Sequence, residues 1–199
     1  MHAVLNVGGG SKKIPIPPRY AGWRHDLLDI DHTAEADVVM DARELQNLPA
    51  ASYDAVYCSH AVEHFYPHDV PRVLRGFVHV LKPDGFAEVR VPNLLAVMKF
   101  VAARGLDVND PLYHVGKTPI LVRDVIYGYG KQIEKSGNDY FAHKTGFSPK
   151  SLTAALGAAG FGWVAVRPES GDNDFTIDAL AFKIEPPRER FEQLLTATG

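Results

Sequence analysis

The sequence predicts an α/β fold: a mostly parallel seven-stranded sheet that ends in an antiparallel C-terminal hairpin strand, with a lid insertion after strand 5. Three observations carry this expectation. Apolar runs of strand length recur at 3–7, 27–30, 38–40, 55–58, 86–91, 163–166 and 177–182. The early runs are continuous rather than alternating, as in strands covered on both faces. Only residues 167–176 separate the last two runs, too few for a helical crossover, so these can pair only as antiparallel neighbours.

The first run leads directly into Gly8-Gly9-Gly10, and the chain continues as Lys12-Lys13-Ile14-Pro15-Ile16-Pro17-Pro18. Those prolines forbid a long helix. The helices after the first two strands are therefore expected to be short or absent. The second run carries Asp29, the third ends at Asp41-Ala42, and the fourth opens into Ser59-His60-Ala61-Val62-Glu63-His64. The clearest helix follows, with Val70, Val73, Leu74, Phe77, Val78 and Leu81 at helical spacing. Asp69 is expected to cap its start, and Lys82-Pro83-Asp84-Gly85 to end it in a turn. Parallel pairing through right-handed crossovers follows from strand, helix and strand at this spacing.

After the fifth run a second helix begins near Asn93, expected to pack Leu94, Leu95, Met98 and Val101. A third starts at Ser148-Pro149, a cap followed by proline at the first helical position. Phe147 can staple onto Leu152 there, and Gly160 closes the helix. Residues 105–146 break the rhythm and are rich in Tyr, Gly, His and Lys, including Tyr113-His114, Tyr127, Tyr140 and His143-Lys144. So long a segment without clear strands reads as a lid or substrate-binding insertion within a single 1–199 domain. It emerges on the side where open α/β sheets bind ligands.

Composition narrows the partners. Net charge is −3, so no global basic field recruits nucleic acid. Cys58 is the single cysteine, so an intramolecular disulfide is impossible, a reducing cytoplasm is the simplest home, and the thiol reads as a buried strand residue. The opening residues are too short and too poor in basic residues for a signal peptide, and no apolar run approaches the roughly 20 residues that span a bilayer. Oligomeric state is left open.

Candidate chemistry starts at the glycines. A strand ending in Gly8, Gly9 and Gly10 lets a ligand approach the backbone, because no Cβ intrudes. Asp29, with Ile30 beside it, ends the second strand where a carboxylate can accept both hydroxyls of a ribose. Alone, this pair fits either NAD or S-adenosylmethionine. Three features choose the latter: Lys13 stands where a Gly-x-Gly-x-x-Gly motif needs its last glycine, no helix follows to hold a pyrophosphate, and Asp41 supplies an acceptor for an adenine amino group. The run His60-Ala61-Val62-Glu63-His64 matches an H-x-x-E-H zinc pattern. That pattern needs a long helix and a third ligand, and Pro67 limits the helix, so no metal is expected. His60, His64 and His143 are the candidate catalytic residues, and His64 or His143, alone or with Glu63, could be the base for an oxygen or nitrogen acceptor.

The ordered set Leu-Asn-Val-Gly-Gly-Gly, Leu-Leu-Asp-Ile-Asp, Val-Met-Asp-Ala-Arg, Tyr-Asp-Ala-Val-Tyr-Cys-Ser-His-Ala-Val-Glu-His-Phe and Leu-Lys-Pro-Asp-Gly resembles the class I S-adenosylmethionine-dependent methyltransferases, and is most similar to the type 11 branch. The likeness spans residues 3 to about 92 and resumes at 143–147 and 159–161. It implies a Rossmann-like sheet with a reversed seventh strand, and a methyl-transfer enzyme (EC 2.1.1.-). It also implies that Gly8 and Gly10 flank the methionine part of the cofactor. Asp29 would bind the ribose, Asp41 and Ala42 would meet the adenine, and Ser59 and His60 would line the fourth strand's end. The acceptor would be a small molecule or glycan end with an oxygen or nitrogen nucleophile. Asn6 stands where the family usually carries an acidic residue. With the shortened helices, it motivates a rival reading as a non-catalytic Rossmann-like module that binds cofactor or partner. An NAD-dependent oxidoreductase is the third alternative.

Overall fold

The computed structural model describes residues 1–167 and 174–196, the side chain of Thr196 excepted. Its main sheet has the strands β1 (Ala3–Val7), β2 (Arg24–Asp29), β3 (Val38–Val39), β4 (Tyr53–Ser59), β5 (Leu81–Pro92), β8 (Trp163–Val166) and β9 (Thr176–Phe182). Their order is β3-β2-β1-β4-β5-β9-β8. The first five pair in parallel, and β9 runs antiparallel to both β5 and β8. The seven-stranded sheet and its reversed strand are as the sequence predicts. Most of the connection between β8 and β9, residues 168–173, lies outside the described residues.

Alternation along the strands builds two unequal faces. On one, Leu5, Val7, Val56, Cys58, Val89 and Ala179 form the large core. It is covered by α1 (Val70–Val80), by α5 (Pro149–Ala159) and by the 3-10 turn Ala42–Asn47. On the other face lie Val4, Ala55, Tyr57, Phe86, Leu180 and Phe182. No long helix follows β1; a 3-10 turn, Pro18–Tyr20, brings Tyr20 and Trp23 over this face, and α6 (Arg188–Thr196) adds Phe191 and Leu194. The expectation of missing early helices is met in this way. Cys58 is 1% exposed, and burial pushes its thiol pKa far up, consistent with a packing role.

The local signals around α5 are realised. Ser148 caps it through a hydroxyl–Ser151 N–H bond (3.3 Å), Pro149 is its first residue, Gly160 ends it at φ +116°, and Phe147 and Leu152 are both buried in the large core. Two expectations about helices are corrected. Asp69 precedes α1 but makes no side-chain cap; its carboxylate is drawn to Arg43 (3.3 Å). In α2 (Leu94–Arg104), Leu95 and Met98 face out and Val97 is the buried residue, because the helix packs against the insertion rather than the sheet.

Lys82-Pro83-Asp84-Gly85 bulges out of register between the pairs Tyr53↔Leu81 and Ala55↔Phe86. The bulge carries Lys82 to Asp54 (2.8 Å), which also accepts from His2 Nδ1 (3.0 Å) and Ala3 N–H (2.8 Å). Partial burial would raise the Asp54 carboxyl, but these bonds outweigh it and hold its pKa at about 2. A carboxyl depressed below its unfolded value near 3.9 contributes stability above that pH and loses it as pH falls toward 2. Lys82 is partly exposed, so the contribution is screened to about 1 kcal/mol. Urea unfolding of Asp54→Asn is expected to run about 1 kcal/mol below wild type at pH 6, with the gap narrowing below about pH 4 and closing only as pH falls through about 2; a constant gap would show that charge is not the cause.

The insertion is not strandless, as the sequence suggested. It contains the hairpin of β6 (Pro111–Val115) and β7 (Thr118–Leu121), then α3 (Val122–Tyr127) and α4 (Gly130–Ser136). Leu112, Val122, Val125, Val97 and Phe175 give it a small core of its own. Its ends are tied together: Leu94 N–H donates to the Phe147 carbonyl at 2.9 Å. Among the described residues, no helix is long and apolar enough to cross a membrane.

Candidate active site

A cavity of about 610 Å³ opens at the carboxyl ends of β1, β2 and β3, beside the point where strand order reverses between β1 and β4. Of the residues expected to hold a cofactor, Gly8, Gly10, Asp29, Ile30, Asp41, Ala42 and His60 line it, whereas Gly9 and Ser59 do not. Gly8 adopts φ +72°, and a Cβ there would lie 2.5 Å from the Ala61 Cβ, so the loop can turn this close to β4 only with glycine. Gly9 backs onto Asn6, whose amide a Cβ would meet at 2.2 Å. Asn6 itself is 2% exposed and lies outside the cavity wall.

Asp29 is the organising carboxylate. One oxygen accepts the Gly10 N–H and the other the Asp31 N–H, each at 3.0 Å, which couples the glycine loop to the end of β2. Each oxygen keeps further acceptor capacity, and Asp29 lines the cavity. Asp41 caps the turn Ala42–Asn47 by accepting Arg43 N–H (2.8 Å), and the Arg43 guanidinium forks onto both its oxygens. Burial opposes ionisation, but these Arg43 bonds hold the Asp41 carboxyl below its usual range. Arg43, Tyr66 and Lys144 also line the cavity. Of these, sequence reasoning missed Arg43 and Tyr66; the only local signal for Arg43 was its place two residues after an Asp able to cap a turn.

His60 follows β4 with φ +54°, a left-handed conformation uncommon outside glycine, and its N–H donates to the Arg90 carbonyl (2.8 Å). That turn aims the ring between two spaces. A second cavity of about 380 Å³ lies on its other side, lined by His60, Tyr113, Asp124, Tyr129, His143 and Thr176. The two cavities therefore meet at one histidine.

The other two candidate histidines come together through the insertion. Lys144 and Thr145 donate their N–H groups to the Glu63 carbonyl (2.8 and 3.1 Å), docking the returning arm on the turn Val62–His64. His64 and His143 rings then sit 5.0 Å apart. Gly128, at φ +93°, permits this: a Cβ there would strike the Phe141 carbonyl at 2.1 Å. His64 Nδ1 bonds the Ala142 carbonyl (3.0 Å) and His143 Nδ1 the Val125 carbonyl (2.9 Å). Burial pushes His143 below the usual imidazole value, against the pull of Glu63. Glu63 is 1% exposed and reaches His60 Nδ1 at 3.2 Å.

Comparison with known proteins agrees with this geometry. Residues 19–89 match the family described as methyltransferase domain. No curated protein sequence matches the chain. Among solved structures, an S-adenosylmethionine-dependent methyltransferase from Archaeoglobus fulgidus is 16% identical, with 90% of this chain and 85% of that one covered at a TM-score of 0.54. The Burkholderia thailandensis 1,6-didemethyltoxoflavin-N1-methyltransferase, solved with that substrate and S-adenosylhomocysteine, is 16% identical over 92% of this chain and 72% of its own, with a TM-score of 0.52. The CurJ carbon methyltransferase is 11% identical over 92% of this chain and 49% of its own, with a TM-score of 0.54, so the shared fold does not choose the acceptor atom. By strand order and reversed terminal strand the chain shares the Rossmann-like fold of these solved methyltransferases, and residues 19–89 within it resemble the methyltransferase-domain family.

Proposed function

We propose that this chain transfers a methyl group from S-adenosylmethionine to a small-molecule or glycan-type acceptor with an oxygen or nitrogen nucleophile. The meeting of two cavities at His60 carries this reading. The larger has the volume of a cofactor site, and the smaller suits a compact acceptor. The larger also fits a nucleoside without a pyrophosphate: no α-helix lies between Gly10 and β2, so no helix N-terminus stands at the glycine loop ready for phosphates. When bound, the cofactor supplies a methyl group already activated on a sulfonium sulfur.

The chain's own residues do the rest. Gly8, Gly9 and Gly10 keep the loop free of side chains beside the methionine end. Asp29 and Ile30 hold the ribose, with the Asp29 carboxylate accepting from its hydroxyls, and Asp41 and Ala42 face the adenine. Ser59 ends the strand that delivers His60 to the junction, where the imidazole can take a proton from the acceptor. His64 and His143 each retain a free Nε2 and are the alternative bases. Lys144 offers a cation to an anionic acceptor group. The insertion 105–146 acts as the lid: Gln132, Tyr140 and Lys144 lie along the larger cavity, and Tyr113 and His143 along the smaller. Closing it excludes water and aligns the acceptor with the methyl group.

Calorimetric titration with S-adenosylhomocysteine and, separately, NADH tests the reading. Saturable binding of the former alone is the expected outcome; NADH binding alone would replace it with the oxidoreductase. One observation favours a second reading: Asn6 neither supplies a charge nor reaches the cavity. Tight cofactor binding without methyl consumption across hydroxyl- and amine-bearing acceptors would establish a non-catalytic module.

A further inference from the structure

We propose that Glu63, His64 and His143 form a binding site for a divalent transition-metal ion on the wall between the two cavities. One potential ligand atom from each residue lies within 4.8 Å of the others. The chemistry of those atoms is one-sided. Each Nδ1 faces a backbone carbonyl, which can only accept, so each Nδ1 must carry the proton. Both rings are thereby held in the tautomer whose Nε2 is a bare lone pair. Glu63 spends Oε1 on His60, while Oε2 is buried with no hydrogen-bond partner among the described residues.

Three acceptors thus meet here, and none of the described residues donates to them. No hydrogen bond links the Glu63 carboxylate to either ring. A buried, unpaired carboxylate oxygen is costly, and a cation satisfies it together with both imidazoles. Ligating histidines characteristically donate their other ring N–H to a carbonyl, and both do so here. Two imidazoles and one carboxylate suit zinc, iron, cobalt or manganese, and leave coordination positions open. His64 borders the larger cavity and His143 the smaller, so these positions face both.

The sequence argued against a metal because Pro67 prevents the long helix of an H-x-x-E-H site. The helix is indeed only the turn Val62–His64. The third ligand comes instead from the insertion, which docks on the Glu63 carbonyl through Lys144 and Thr145. An ion here would take up the Nε2 lone pairs of His64 and His143, leaving His60 as the base, and would hold and polarise an oxygen of the acceptor. That role rests on the methyl-transfer reading, whereas the site does not.

The test is calorimetric titration of the chelator-stripped 199-residue chain with ZnCl2 and MnCl2, in wild type, Glu63→Gln, His143→Ala and, as a control, His32→Ala at an exposed histidine outside the cluster. Wild type and the control are expected to bind one ion per chain. Affinity should fall at least about 100-fold in the other two, since even outer-shell losses cost 10–100-fold. Binding that is absent in wild type, or equal in all four proteins, overturns the proposal. Should a variant fail to fold, pulsed EPR of wild type with Mn2+ decides: couplings to two imidazole nitrogens support the site, and their absence refutes it. S-adenosylhomocysteine titrated into the same stripped samples reports on the cofactor cavity separately, so failure of one reading is visible beside success of the other.

Discussion

Asp29→Ala is expected to weaken S-adenosylhomocysteine binding by roughly 100-fold or more in a protein that still folds, because a hydrogen bond to a charged group is worth about 1.5–3 kcal/mol and two are lost. The carboxylate lies at the cavity edge, holding Gly10 N–H and Asp31 N–H at 3.0 Å while keeping lone pairs for a diol. Both N–H groups border the cavity, where water can take the carboxylate's place, so the stability cost should stay near 1–2 kcal/mol. Asp29→Asn separates the two roles. It keeps the shape and one acceptor oxygen but removes the charge, and its affinity should fall between wild type and alanine. Calorimetry supplies the affinities and thermal unfolding the control. Unchanged affinity in folded Asp29→Ala would remove the ribose site and with it the argument that the larger cavity holds a nucleoside.

The place of Asp29 beside the cavity was legible in the sequence because it depends on little beyond the end of one strand and the glycines of its neighbour. The same holds for α5, whose cap, first-turn proline and closing glycine are local. Legibility ends where tertiary contact decides. Residues 94–101 are apolar nearly all round, so periodicity could not say that Val97 rather than Leu95 or Met98 would be buried. The β6–β7 hairpin has mostly exposed side chains and lacks the alternation that marks a half-buried strand. Asp69 looked like a cap, but a guanidinium from the turn after β3 competes for its carboxylate. His143 was singled out by residue type and by its place in the lid segment where the family likeness resumes, not by any sign of its partners. Its neighbours, Glu63 and His64, lie some eighty residues earlier and meet it only because the insertion returns to its starting point. α6 was not foreseen, since Phe191 and Leu194 are its only apolar residues packed on the core and most of the rest is charged or polar.

The second face of the sheet should fail most severely when Glu88 is replaced. Glu88 is 1% exposed there, in register with Tyr57 and, one strand further, Asn6. It accepts the Tyr20 hydroxyl at 2.8 Å and faces the Arg19 guanidinium at 3.6 Å, on a side chain only 2% exposed. Burial pushes the Glu88 carboxyl upward, with Arg19 and Tyr20 opposing. The guanidinium nitrogens have no hydrogen-bond acceptor among the described residues, so Glu88 is the group that offsets their charge. Removing one partner of a buried pair typically costs about 3–5 kcal/mol, because the other charge stays buried and uncompensated. Glu88→Ala is expected to lose that much in urea unfolding at pH 7. The double substitution Arg19→Met with Glu88→Leu should recover most of it, since replacing a whole buried pair by apolar side chains is often neutral. A loss below about 1 kcal/mol in Glu88→Ala would mean that the pair is solvated like a surface bridge. The consequence reaches the site, because Arg19 and Tyr20 belong to the segment that stands in for a helix after Gly8-Gly9-Gly10. Freed from Glu88, that segment no longer fixes the far end of the glycine loop, so Glu88→Ala should also weaken cofactor binding, by less than Asp29→Ala and without touching the cavity.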